Sequence, residues 1–333
     1  MDFNTSLSQA NGNLSNSCAR EDFAGKDSVD QHMYPTAYSL FFIVGFPANC
    51  LSLYVACVLM RKGNNLAVYL VNLSISDLLY TISLPVWMEL ALHRPVGDVV
   101  CSSVAVIMYN SFYVGSGLLC CISCDRYLAV VYPLRFNRVR ETRTAVIVSM
   151  VVWCVEMVVH IILLYHTGEL QDFSSRRMCE EKTPMTQAYA NKALIRVVFG
   201  FLVPLIIMTF CFQQIMQSLG QSLSILAVER RKVRLLLMLL LVTYLLAFVP
   251  YQTVMLLRAL MEPSGDCYWA RTLRDPYIVL VATTTLNSML DPIIYCLVSE
   301  SAQTEIRNAL EKCKRVLWIK RYRNTFPRVN SVS

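Results

Sequence analysis

The sequence predicts an all-α membrane protein: a seven-transmembrane helix bundle with a short amphipathic helix after the seventh span. Three observations carry that prediction. Seven long apolar runs cover roughly 36–60, 66–92, 102–128, 145–166, 194–219, 233–260 and 276–298. Each meets or exceeds the ~20 apolar residues a helix needs to cross a bilayer core. Apolar residues make up 55% of the chain and charged ones 16%, and mean hydropathy is +0.46, outside the balance of a soluble domain of 333 residues. Backbone amides in hydrocarbon must be paired within their own segment, so the runs read as helices.

Charge then orients the bundle. Of 30 Lys and Arg residues, 19 fall in the first, third and fifth connections and the C-terminal tail, 10 fall in the N-terminus and the other connections, and Arg196 sits inside the fifth run. The positive-inside rule puts the tail in the cytoplasm and the N-terminus outside, as expected of a multi-pass plasma-membrane protein. The net charge of +7 therefore belongs with the inner leaflet and its lipids, not with nucleic acid. Residues 1–33 form a polar outer tail with two Asn-x-Ser/Thr glycosylation acceptors, at Asn4 and Asn13. A third triplet, Asn72-Leu73-Ser74, lies mid-run and is expected to stay unmodified. The tail lacks an apolar core segment of the cleavable-signal type, so run one is expected to target the chain.

The transmembrane domain spans 34–298. Residues 299–318 have Ile306, Ala309, Leu310, Cys313 and Leu317 on one face with basic flanks, the pattern of a helix lying on the inner leaflet, and 319–333 remain as a cytoplasmic tail. Cys313 is a candidate for acylation or a plain free thiol. Of 13 cysteines, most lie within runs as small packing residues. Cys18, Cys101, Cys179 and Cys267 fall outside, where disulfides form, and four cysteines allow three connectivities. Cys101 opens run three and Cys179 lies mid-loop, which favours Cys101–Cys179 and leaves Cys18–Cys267.

Ionisable groups at membrane depth are costly and mark function. They are few: Asp77, Asp125-Arg126, Glu156 and Asp291, with buried amides at Asn49, Asn72 and Asn287. Pro47, Pro85, Pro204, Pro250 and Pro292 interrupt five runs and can kink them. A polar seam in kinked helices suits a bundle that rearranges, although a static bundle can carry both. Transporter-type internal repeats are not evident. Neither is a His-Glu-x-x-His site or a nucleophile–base pair, so the chain does not read as an enzyme.

The ordered residues resemble the rhodopsin-like (class A) G-protein-coupled receptors. The resemblance rests on Gly45 to Asn49, Leu73 to Asp77, Asp125-Arg126-Tyr127, Trp153, Pro204, Phe248-x-Pro250 and Asp291-Pro292-x-x-Tyr295, and covers 34–318. Val44 to Tyr54, Leu119 to Ser123 and Tyr295 to Glu300 further resemble the proton-sensing subgroup, the ovarian-cancer-type receptor and its relatives. The resemblance implies a heterotrimeric G protein as partner and an inner switch of Asp125, Arg126, Tyr127, Phe248, Pro250, Pro292 and Tyr295. It implies a ligand pocket near Met108, Arg196, Tyr251, Gln252 and Arg258. Met108 stands where amine receptors carry Asp. Gln252 and Ile278 replace histidines usual in the subgroup, the first outer loop lacks the usual Trp, and Phe212 replaces a common Tyr.

Protons are the expected agonist. His32, His93 and His166 lie at the predicted outer mouth, and His titrates near neutral pH. His160, mid-run, reads as packing. Burial favours the neutral form of a carboxyl, so Asp77, Glu156 and Asp291 are further candidate proton sites. The resemblance also offers Asp77 and Asp291, with Asn287 or Ser288, as a candidate sodium site. No other cofactor is expected. The alternative agonist is a lysophospholipid or oxidised fatty acid, its acidic headgroup held by Arg196 or Arg258.

Overall fold

The computed structural model describes residues 29–133, 135–136, 141–169, 184–221, 227–264 and 267–325. Among them seven helical segments are long and apolar enough to span a membrane: Gln31–Arg61, Leu66–Ala91, Asp98–Val131, Thr142–His166, Gln187–Gly220, Arg231–Ser264 and Cys267–Val298. Every predicted run is found. The fifth and seventh spans start earlier than hydropathy places them, because their outer turns are polar and face a cavity.

The helices are α1 (Val29–Arg61), α2 (Leu66–Ala91), α3 (Asp98–Val131), α4 (Thr142–His166), α5 (Gln187–Ile195), α6 (Val203–Gln221), α7 (Ala227–Met261), α8 (Cys267–Thr283), α9 (Thr285–Val298) and α10 (Glu300–Thr325). The amphipathic helix therefore runs past the expected end at 318. Between α5 and α6, Arg196–Leu202 forms a wide π turn. Pro204 lacks an N–H, so the carbonyl four residues back has no ladder partner, and a wider turn absorbs the fault. The seventh span breaks at Thr284. Thr283 and Thr284 donate their hydroxyls to Leu280 O and Val281 O, both at 2.7 Å, competing with the helical ladder. Gly63, at φ 84°, turns the chain out of α1, and Asn64 Oδ1 accepts the Leu66 N–H at 3.1 Å to begin α2.

Spans two and three are the most enclosed and span four the least, so four lies at the rim facing lipid. The core runs through Val55, Leu70, Leu118, Ile122, Tyr244, Phe248 and Tyr295. Buried amides lock neighbours where apolar packing alone is non-directional. Asn49 Nδ2 donates to Gly45 O (3.1 Å) and to Ser288 O (2.8 Å), joining spans one and seven. Trp153 Nε1 donates to Asn72 Oδ1 (3.1 Å), joining four and two. That bond places Asn72 mid-bundle.

Candidate functional site: an outer cavity above a buried carboxylate pair

The outer halves of the spans enclose a cavity of about 670 Å³. Eight tyrosines line it, with Lys192, Arg196, Arg258 and Arg274 as cations and Glu169 as an acid. Met108, Tyr251 and Ile278 also line it. Gln252 does not: it is buried outside the lining, and its Nε2 lacks a hydrogen-bond partner.

Arg196 organises one wall. It is only 7% exposed; its Nη1 donates to Glu156 Oε2 at 2.8 Å, and Nη2 lies 3.3 Å from His160 Nδ1. Its guanidinium sits 4.0 Å from the Tyr113 ring centroid, in cation–π range. Tyr113 fits because Gly200 lies beneath it: a Cβ there would come within 2.5 Å of the ring. His160 is thus part of the cavity wall rather than plain packing. Lower on the loop side, Lys192 pairs with Glu169, which also accepts from Thr167 Oγ1 at 2.7 Å. On the opposite wall Arg258 pairs with Glu262.

The three outer histidines separate. His93 lines the cavity from an exposed, left-handed position at φ 56°. His32 and His166 are exposed and stand outside the lining. Arg94 bonds Glu89 at 2.9 and 3.1 Å on the surface.

Beneath the cavity lies the second cluster. Asp77 and Asp291 are buried, at 3% and 2% exposure. Asn287 Nδ2 donates to Asp291 Oδ2 at 2.8 Å, and Ser288 bonds Asp77. Asp77 Oδ2, Asn287 Oδ1 and Asp291 Oδ1 are buried with no donor. Three such oxygens from adjacent helices fit a hard monovalent cation or a proton. No group of three or more His, Cys, Asp or Glu side chains gathers as a metal cluster among the described residues.

At the inner end Arg126 is held by Asp125, with Nε at 3.1 Å from Oδ2 and Nη2 on the same oxygen. Tyr127 packs edge-on to Tyr132 and against Phe210. Tyr295 is buried. Phe248 meets Phe112 and Tyr244 edge-on at 4.8 and 4.6 Å, and Pro250 lies one half-turn further along. Pro292 interrupts α9 just after Asp291. Phe212 packs with Ile215 and Leu219 at the inner end. Arg126 is thus tied to its own chain neighbour at the inner end of α3.

The family model described as 7 transmembrane receptor (rhodopsin family) matches residues 48–295. The chain belongs to the rhodopsin family of seven-transmembrane receptors. It is 33% identical over 293 residues to G-protein coupled receptor 68 of Mus musculus, covering 87% of this chain and 80% of that one. It is 30% identical over 312 residues to G-protein coupled receptor 65 of Homo sapiens, covering 90% and 91%. Lysophosphatidic acid receptor 6 of Gallus gallus is 28% identical over 298 residues, covering 86% and 95%. As a rhodopsin-family member the chain is a receptor, not an enzyme, and its resemblance to the proton-sensing subgroup stands.

Cys101 and Cys267 are each disulfide-bonded. Their expected partners Cys179 and Cys18, the acceptors Asn4 and Asn13, and the side chain of Cys313 lie outside the described residues. Glu262 and Lys192 escaped the sequence reading, since each looks like an ordinary charge at the edge of a span.

Proposed function

We propose that this plasma-membrane receptor, with its N-terminus outside, is activated by extracellular acid and signals to a heterotrimeric G protein. Protons act chiefly at the Asp77–Asp291 pair. The observation that supports this is the set of three donorless buried oxygens on Asp77, Asn287 and Asp291. Two carboxylates sharing an apolar core repel, and their hydrogen-bond partners there, Ser288 and Asn287, are neutral. Such a pair is held with a cation or a proton. Sodium on the pair fits the resting state and protons the active one. The state that binds more protons is favoured as pH falls, so acid activates. Each proton taken up supplies about 1.4 kcal/mol per pH unit over the range between the active state's midpoint and the lower midpoint of the resting state.

The test is a second-messenger titration from about pH 8 to about pH 6 in cells bearing the parent, Asp77→Asn or Asp291→Asn. Either substitution leaves one carboxylate with no like charge to relieve, and the acid response is expected to flatten at equal surface level. A parent-like curve in both variants would sink the reading and return the role to His93, His166 and His32.

A second reading has its own support. A cavity of about 670 Å³ with four cationic side chains among tyrosines suits an acidic lipid, and one relative is named for lysophosphatidic acid. The same titration with and without added lysophospholipid separates the two agonists.

A further inference from the structure

Glu262 is fully buried, and Arg258, one turn earlier, is 2% exposed. Arg258 Nε donates to Glu262 Oε1 at 2.5 Å, and Nη2 lies 3.4 Å from Oε2. The second carboxylate oxygen also accepts the backbone N–H of Met185 at 2.7 Å. Met185 precedes the fifth span and is packed with Ala190, Ala193 and Ala259. The Arg258 guanidinium lies 4.4 Å from the Tyr277 ring centroid on the seventh span. One carboxylate therefore joins the end of an outer loop to the sixth span, and through Arg258 to the seventh.

Packing does not require this arrangement. Burying an ion pair costs several kcal/mol of desolvation, and well-packed apolar side chains of the same volume often do as well or better. Its best-attested use is to select one arrangement among several. Met185, Arg258 and Tyr277 all face the cavity, and the sixth span carries the Phe248-x-Pro250 switch below. A contact that exists in only one of two states biases the equilibrium toward that state by its own free energy.

We propose that Glu262 is a positioning residue that latches Met185 and Arg258 together in the resting receptor, and that the latch must open for the sixth span to move. The bond to Met185 and the ion pair with Arg258 both hold the arrangement in which Arg126 stays on Asp125. Releasing them raises signalling without any agonist. The proposal does not depend on which agonist the cavity takes, because it is read from the basal state.

The experiment compares the parent with Glu262→Gln, which keeps volume and an acceptor but removes the charge, and with Glu262→Asp, which keeps the charge. Basal guanine-nucleotide exchange on a G protein is measured per receptor at the cell surface, at a fixed pH of about 8. Amide hydrogen exchange is followed in purified receptor over 184–186. Glu262→Gln is expected to raise basal exchange roughly threefold to tenfold, the range of a contact worth about 0.7–1.4 kcal/mol, and to speed amide exchange at Met185. Glu262→Asp is expected to restore most of the restraint. Where Glu262→Gln strands a buried arginine and fails to reach the surface, the neutral pair Arg258→Gln with Glu262→Gln carries the test. Parent-like basal activity together with parent-like amide exchange, in whichever of these variants reaches the surface, overturns the latch.

Discussion

At residue 200 the chain has no side chain, and the reason lies on another span. A Cβ there would sit 2.5 Å from the Tyr113 ring, which in turn carries the Arg196 guanidinium. Gly200→Ala is therefore expected to push Tyr113 and unseat Arg196 from Glu156, at a cost of about 1–3 kcal/mol for overpacking a close-packed site. The thermal midpoint of detergent-solubilised receptor should fall, and Tyr113→Leu added to it should recover most of the loss. An unchanged midpoint would mean the ring is free to move. Nothing in the sequence marks this glycine, because the contact joins residues 87 positions apart. The same holds for Glu262, which occupies the polar edge of a span where acids are common. Asp77 and Asp291 were legible for the opposite reason: a carboxylate deep in an apolar run has few neutral explanations.

Among the elements, the spans were legible wherever lipid surrounds them and blurred where the cavity does. Run four matched its helix closely because its outward face is almost wholly apolar, with Ile147, Val151, Val158 and Tyr165 more than half exposed. The fifth and seventh spans begin with Gln187 and Cys267, well before their apolar runs, since polar residues of the extra turns, Lys192 and Arg274, face the cavity. The inner surface shows a further element-level contact. Lys232, near the start of the sixth span, pairs with Glu300 at the start of α10, and Lys62 pairs with Glu305 on the same helix. Glu300 is 71% exposed, so the first pair is worth no more than about 1 kcal/mol, at most about fivefold in an equilibrium. Glu300→Lys should therefore raise basal signalling by less than about fivefold, and adding Lys232→Glu should bring it back. An increase that the charge swap leaves in place would assign the effect to α10 itself rather than to the pair. Raising salt in isolated membranes should mimic the single substitution, since exposed pairs are screened.

Across the whole molecule, the Asp77–Asp291 layer lies between the outer cavity and the inner Asp125–Arg126 pair, and in the proposed function its occupant sets the resting equilibrium. The outer histidines and this buried pair predict different behaviour toward sodium. If one sodium ion and one proton compete for the pair, the sodium-bound form is the resting one, and more sodium demands more acid to displace it. Linkage gives the size: while sodium is well above its own dissociation constant, a tenfold rise shifts the half-activating pH acidward by about one unit. The measurement is an acid titration of G-protein activation in membranes at two sodium concentrations, with an organic cation holding ionic strength constant. Asp77→Asn should abolish the sodium shift. Histidines at the exposed positions of His32, His93 and His166 would feel sodium only as ionic strength, which is held constant, so their curve would not move. A pH midpoint indifferent to sodium in the parent would therefore remove the buried pair from the sensor and leave activation to the mouth of the cavity.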